Sequence, residues 1–570
     1  MAGNLTRALR PVLLWAALAA LAWSVGAAAS GGIDARVLGF TIRARGAIRP
    51  LTIGLLLLAL YVGLDWRACR AALGEPVQIL NRLAPWLAVT LAAVTTIHAI
   101  RYGAFVASGS DSYGYLSEAY GWVRGPLPKP DPIPLRLPTP SSDWIQTPLG
   151  YWPGHAPHTI APSYAPGLPW LLAAGILVAD PLGPYLVVPL SAGFFVWVTF
   201  LLARRIAGPM AGLAAALIAG SSPIVLFMSL WVMSDVPAGV MWTASAWAAL
   251  ARPRYGALAA GTFAGLGLLI RPNLAPLALV PFASMVLAGE PADRMRRAVL
   301  FCVPVALAAI AIGALNAAWF GSPLLSGYGD ASLRFALHYV WPNVRHYPLW
   351  LVESQSLWIA AAAVLSLGAF RLATPNRQAL ALAWAFVLVT FLCYVAYAPY
   401  EPWWYLRFLV PGLGAFYAVA AAGLSIVASR IPRPWGPLAA CVILLLTLQH
   451  SVRYTTAQEM FGPFRQSEHR YADLGAFVAR APAQRRDLRH AARRQHPVLR
   501  RPAHASLRSS GQAVGSSRRR RSRGDGASPV PRDRRRGSRG RQDRLRASSG
   551  WAVALAAHRA DAQARWPFDL

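Results

Sequence analysis

Two carboxylates and two guanidiniums in this sequence stand where chemistry explains them better than packing does. Asp111 lies in Gly109-Ser110-Asp111-Ser112-Tyr113, just past a long apolar run. Asp235 lies in Met233-Ser234-Asp235-Val236-Pro237, and Arg271 ends a Gly- and Leu-rich run directly before Pro272. Arg407, in Glu401-Pro402-Trp403-Trp404-Tyr405-Leu406-Arg407, sits one turn inside another apolar run. A charge at the boundary of an apolar bundle usually has a partner or a task. Carboxylates so placed can take a proton from an attacking hydroxyl while cations hold an anionic leaving group. Each residue also has a plainer reading. Ser or Asp before Val-Pro is an ordinary helix N-cap. An arginine one turn into a span can snorkel to the headgroups as well as bind a phosphate.

The elements that must position these residues are apolar helices. Hydrophobic residues make up 56% of the 570 and charged residues 14%, where soluble domains carry about 25% charge. Mean hydropathy is +0.40. Apolar runs of bilayer length, about 17–25 residues, recur over the first 450 positions. The pattern predicts an all-α integral membrane protein with about 13 transmembrane helices, near 11–29, 51–64, 84–107, 184–203, 209–229, 235–251, 256–270, 273–289, 298–319, 355–371, 378–398, 405–428 and 435–450. Val12–Ala29 reads equally as a first span or as a signal peptide. The four cysteines show no ligand spacing and read as packing residues.

Basic clusters at Arg204-Arg205, Arg252/Arg254, Arg294/Arg296-Arg297, Arg371/Arg377 and Arg430/Arg433 fall at alternate connections, so all five can be cytoplasmic together. The 30–50 connection, with four arginines, breaks this pattern, so the 1–83 segment has no assigned topology. From there on, the long loop 108–183, the Ser234-Asp235 turn, the Arg271-Pro272 turn, loop 320–354 and the Tyr400–Arg407 connection share the opposite, outer face. Loop 108–183 is rich in Pro, Trp and Tyr, and its end at Leu168–Val178 reads as an interfacial helix. The rings of loop 320–354 read mostly as an aromatic belt.

Residues 84–454 therefore form the membrane region with its two outer loops, and 455–480 begin an outer-face C-terminal segment. From 481 to 570 the composition changes abruptly. More than half of the net charge of +32 comes from this stretch, with Arg518–Arg521 and Arg534–Arg536 in Ser/Gly/Pro-rich sequence. As written it predicts disorder and resembles a nucleic-acid-binding tail. Its predicted place on the outer face argues against that role. A changed reading frame near 481 in GC-rich DNA accounts for the arginines better.

With these residues in order, the sequence resembles the C-type (GT-C fold) membrane glycosyltransferases, the group of the aminoarabinose and protein-mannosyl transferases. The likeness runs over about residues 85–450: Ser110-Asp111-Ser112-Tyr113-Gly114-Tyr115, then Pro162-Ser163-Tyr164-Ala165-Pro166-Gly167, Arg204-Arg205, Ser234-Asp235-Val236-Pro237, Arg271-Pro272, and Trp403-Trp404-Tyr405-Leu406-Arg407-Phe408. The resemblance implies transfer of a sugar from a polyprenyl-phosphate carrier to a cell-envelope acceptor, on the outer face of a bacterial cytoplasmic membrane. It implies Asp111 as general base, Asp235 as a second catalytic carboxylate, and Arg407 and Arg271 as cations on the donor phosphate. Tyr115, Glu118 and Tyr164 would line the substrate loop. Relatives often carry paired acidic residues at the Asp111 position. Here Ser112 follows, and Glu118 or Asp235 is the candidate replacement. Divalent ions assist some relatives, so a divalent cation stays open as cofactor, while no nucleic-acid partner is expected. A transporter or carrier flippase and a non-catalytic membrane protein are the alternatives.

Overall fold

The computed structural model describes residues 11–480 apart from 22, 25–32, 38–39, 45–47, 65–73, 132–146, 252–254, 289–290, 330–333, 372–375 and 433–434. The expectations for the arginine-rich stretch from 481 onward lie outside the described residues. The described chain is mainly helical, with a two-stranded antiparallel sheet (Ile33–Val37 with Phe40–Ala44) and a small three-stranded one. A multi-pass helical membrane protein is what the composition demanded.

Among the described residues each predicted span overlaps a helix, but not every one of these helices is long enough to cross a membrane by itself. Six of the described helices are long and apolar enough to do so: Gln78–Tyr102, Gly183–Ala207, Pro291–Phe320, Arg377–Val395, Trp403–Arg430 and Trp435–Phe477. A seventh appears if Leu337–Gln355 and Leu357–Gly368, bent by 109°, count as one. The others are short. Asp235–Ala249 has 15 residues, about 22 Å of rise against a hydrocarbon core of about 30 Å. Proline breaks two more: Pro223 separates Pro209–Ser221 from Pro223–Met228, and Pro272 with Pro276 tightens the start of the next into a 3-10 turn. A proline has no N–H to continue the helical ladder.

Val410–Arg430 is the central helix, buried along its first fifteen residues. Gly183–Ala207, Asp235–Ala249, Leu357–Leu365 and Arg377–Val395 pack around it. Without water to drive apolar surfaces together, such contacts rely on small residues that let backbones approach. At Gly423 a Cβ would stand 1.7 Å from the Ala362 carbonyl oxygen. The helix Gly109–Arg124 is followed by strands Lys129–Pro130, Tyr151–Pro153 and Thr159–Pro162, the last in the middle, and then by helix Gly167–Ala179. This last helix has 13 residues and packs on both Gly109–Arg124 and Gly183–Ala207. Of the rings at and after the start of loop 320–354, Trp319, Tyr347 and Trp350 are buried in the protein and so are no part of a lipid-facing belt, whereas Trp341 is exposed. Segment 455–480 carries the helix Gly462–Arg480, and Phe464 beside its start packs on Phe227 and Trp231.

Candidate functional site

Each of the four charged residues stands at a helix end, which is where a helix can offer a side chain without breaking its apolar stripe. Asp111 is in the first turn of Gly109–Arg124, and Asp235 opens Asp235–Ala249. Helix N-termini favour a carboxylate through the unpaired N–H groups there. Arg271 caps the C-terminus of Gly256–Ile270, and Arg407 lies in the 3-10 turn Trp403–Leu409 that leads into the central helix.

The fold brings all four together as two neighbouring ion pairs. Arg407 Nη2 donates to Asp111 Oδ2 at 3.0 Å, and Arg271 Nη2 donates to Asp235 Oδ1 at 2.5 Å. The pairs differ in exposure. The Asp235 side chain is 0% exposed and Arg271 11%, while Arg407 is 15% and Asp111 32% exposed. Asp111 is therefore the more exposed of the two carboxylates.

The two guanidiniums are also engaged differently. Arg271 has every nitrogen occupied: Nε donates to Ser234 Oγ at 3.1 Å, Nη1 to Tyr394 Oη at 3.1 Å and Nη2 to Asp235. Arg407 has Asp111 as its strong partner. Its Nη1 reaches only Met233 Sδ at 3.9 Å, and its Nε is buried without a hydrogen-bond partner among the described residues, as is Asp235 Oδ2. Its Cζ lies 5.4 Å from the Tyr405 ring centroid and 5.3 Å from that of Phe408. Arg407 thus turns into the protein and does not snorkel. The N-cap reading of Ser234-Asp235 also gives way. Ser234 occupies the cap position but makes no side-chain cap bond, and its hydroxyl accepts from Arg271 and from Tyr115 Oη at 2.9 Å.

The three residues expected in a substrate loop are buried framework. Tyr115 ties the Asp111 helix to Ser234. Tyr164 Oη donates to Asp111 Oδ1 at 2.8 Å and bonds to Ser110 Oγ at 3.1 Å. Glu118 lies two turns beyond Asp111 and is fully buried. Trp122 Nε1 donates to its Oε1 at 3.2 Å, and its Oε2 has no hydrogen-bond partner among the described residues. Burial raises Glu118 well above the ordinary carboxyl range, with the Trp122 bond and the charge of Lys129 pulling back part of the way. Reasoning from sequence missed Tyr394, Met233 and Phe408. Tyr394 stacks on Phe408 with centroids 5.1 Å apart and planes 8° apart. In sequence it is one ring among many near the end of a span.

Each of the two carboxylates faces a guanidinium, and Arg407 feels both Asp111 and Asp235. Among the described residues, no group of three or more His, Cys, Asp or Glu side chains comes together.

Residues 162–319 match the family model described as dolichyl-phosphate-mannose-protein mannosyltransferase. That interval holds Tyr164, Asp235 and Arg271 and agrees with the motif resemblance over its central part. No curated protein sequence matches the chain. Among solved structures it is similar to the Archaeoglobus fulgidus oligosaccharyltransferase in the apo form, at 12% identity, 71% of this chain, 59% of that one and a TM-score of 0.49. It is also similar to the oligosaccharyltransferase AglB from the same organism, solved with an inhibitory peptide and a dolichol-phosphate (12%, 72%, 60%, 0.48). A third is ArnT from Cupriavidus metallidurans bound to undecaprenyl phosphate (14%, 70%, 80%, 0.44). The chain spans about three fifths of the length of the archaeal oligosaccharyltransferase chains.

Proposed function

We infer that this chain is a membrane glycosyltransferase that moves a sugar from a polyprenyl-phosphate carrier to a cell-envelope acceptor, on the outer face of a bacterial cytoplasmic membrane. The observation that carries the reading is the Asp111–Arg407 pair. A reachable carboxylate lies against a guanidinium that still has donors to give, beside a second pair that is closed. Asp111 takes the proton of the acceptor's attacking hydroxyl or amide. The acceptor's heteroatom bonds to the anomeric carbon, the carbon–oxygen bond to the carrier phosphate breaks, and the sugar inverts. Arg407 holds the charge left on the carrier phosphate, the type of stabilisation that contributes most when water is excluded. Asp235 and Arg271 are the brace: their ion pair, with Ser234, Tyr115 and Tyr394, fixes the helix ends on which Asp111 and Arg407 stand. No step runs through a metal.

The test is sugar transfer from a polyprenyl-phosphate donor in membranes holding the wild type, Asp111→Asn or Arg407→Ala. Removal of a general base is expected to cut the rate about 10²- to 10⁴-fold. Transfer unchanged in Asp111→Asn sinks the mechanism.

A transporter or carrier flippase is the second reading. The 109° break between Gln355 and Leu357, with Ser356 at φ 83°, favours it, since broken helices mark transport sites. Most polar side chains beside this break are bonded internally, while the Ser356 Oγ is buried without a hydrogen-bond partner among the described residues. Gln355 donates to Ser354 and accepts from Tyr417, which is bonded to Ser222. Labelled-solute uptake that survives Asp111→Asn would support transport.

A further inference from the structure

We propose that Tyr164 is the positioning residue of the base, a fixed hydrogen-bond donor that keeps the Asp111 carboxylate aimed when Arg407 turns from it to the carrier phosphate. The proposal rests on the reading of Asp111 as general base and goes beyond it by dividing the two donors on that carboxylate into one exchangeable and one permanent. Asp111 has two oxygens, and each has a donor: Oδ2 takes Arg407 and Oδ1 takes Tyr164. The Arg407 side chain is long, and its guanidinium serves the leaving group in the reaction. Once it moves, the carboxylate has lost one of two restraints, and a short side chain in a first helical turn can rotate away.

The tyrosine is built not to move. Its backbone lies between Pro162 and Pro166, directly after the central strand Thr159–Pro162 and before the helix Gly167–Ala179. Its ring occupies a slot that exists because Gly114 lacks a side chain, with Gly150 packed against the other side of Gly114. A Cβ on Gly114 would lie 2.2 Å from Tyr164 Cε2 and 3.1 Å from the Gly150 Cα, and Gly150 itself has φ +83°. The Tyr115 ring lies 4.4 Å away, and Tyr328 meets it edge-on at 5.8 Å. Behind it, Gly327 lets the 320–354 loop close on Ser163, where a Cβ would come within 2.2 Å of the Ser163 Cα. Burial, followed by the charge of Asp111, raises the Tyr164 phenol well above its ordinary value, so it stays a donor throughout the working range of pH. A near-attack geometry depends on such restraint, and small misplacements of a reacting group cost orders of magnitude in rate.

The experiment uses the full chain in membranes or nanodiscs. Tyr164→Phe keeps the ring and deletes the hydroxyl. The expected result is a fall in kcat of about 10- to 100-fold, with unchanged binding of the sugar-free polyprenyl phosphate, because the Tyr164 hydroxyl is bonded to Asp111 and Ser110 and not to Arg407. A structural role would add to other damage, so the double variant decides between the two. Asp111→Asn with Tyr164→Phe should be no slower than Asp111→Asn alone, as expected of residues acting through one another. Gly114→Ala, which pushes the ring from its slot and leaves the hydroxyl intact, should reproduce the loss of kcat. It serves as the readout if Tyr164→Phe does not accumulate folded. Full kcat in Tyr164→Phe, or an additive further loss in the double variant, overturns the assignment of Tyr164. Unchanged transfer in Asp111→Asn overturns the underlying reading of the base instead.

Discussion

If Arg407 serves Asp111 before substrate arrives and the carrier phosphate afterwards, the two anions compete for one guanidinium. Removal of the protein's own anion should then tighten carrier binding even as it abolishes transfer. The perturbation is Asp111→Asn, which keeps size and the bond from Tyr164 but deletes the charge. A charge-assisted hydrogen bond contributes about 1.5–3 kcal/mol. The contact here is 3.0 Å long, but Asp111 is 32% exposed, so water screens part of it and about 1–2 kcal/mol is the better figure. That amount is given up when phosphate displaces the carboxylate, and its absence from the variant corresponds to about five- to thirtyfold tighter binding. The assay is titration of purified protein in nanodiscs with sugar-free polyprenyl phosphate. Asp235→Asn is the control. It removes a negative charge that Arg407 also feels but leaves the Asp111–Arg407 bond in place, so it should tighten binding less. Arg407→Ala should lose most of the affinity in either background. Equal or weaker carrier binding by Asp111→Asn refutes the competition. It would mean that the carboxylate orients Arg407 for phosphate instead of withholding it.

The closed pair makes a contrasting prediction. Arg271→Met strands a fully buried Asp235 carboxylate and should cost about 3–5 kcal/mol of stability, read as a lower thermal midpoint in detergent. Replacing both Asp235 and Arg271 by apolar residues of similar size should recover much of that loss, and no recovery would show that the pair acts through more than its charges. Glu118 predicts a pH dependence. Its folded-state carboxyl titrates well above the ordinary value of 4.5, so its contribution to stability is fully present below that value and is lost as pH rises through the raised one. Glu118→Gln should therefore lose less stability than wild type as pH rises from about 4.5, and parallel melting curves would count against the buried, protonated state. At the core, Gly423→Ala places a methyl 1.7 Å from the Ala362 carbonyl oxygen and should cost at least about 1–3 kcal/mol. A wild-type melting point would mean that the two helices do not meet there.

The membership of the site was legible in the sequence, but its pairing was not. Asp111, Asp235, Arg271 and Arg407 stood out because each interrupts an apolar run, and the alternation of basic loops put all four at one end of the bundle. Grouped by charge, the two acids became the catalytic pair and the two arginines the phosphate pair. The fold joins across that division, Asp111 to Arg407 over 296 positions and Asp235 to Arg271 over 36. Such pairing depends on how each helix is rotated about its axis, and helices apolar on all sides carry little record of which face turns where. The same silence explains the count of crossings. Composition marks an apolar segment, whereas crossing also depends on length, and Asp235–Ala249 at 15 residues is apolar without being long. It explains Tyr394 too, since a tyrosine near a span end reads as belt whether it meets lipid headgroups or, as here, the nitrogen of a buried arginine. What separates the two arginines is how many of their nitrogens lack a good hydrogen-bond partner. For Arg271 none of the nitrogens is left, and for Arg407 the Nε is without a hydrogen-bond partner and Nη1 has only a long contact to a sulfur. On the proposed function Arg407 takes the carrier phosphate because one of its nitrogens is unpaired and another only weakly held, a distinction that exists only once the chain has folded.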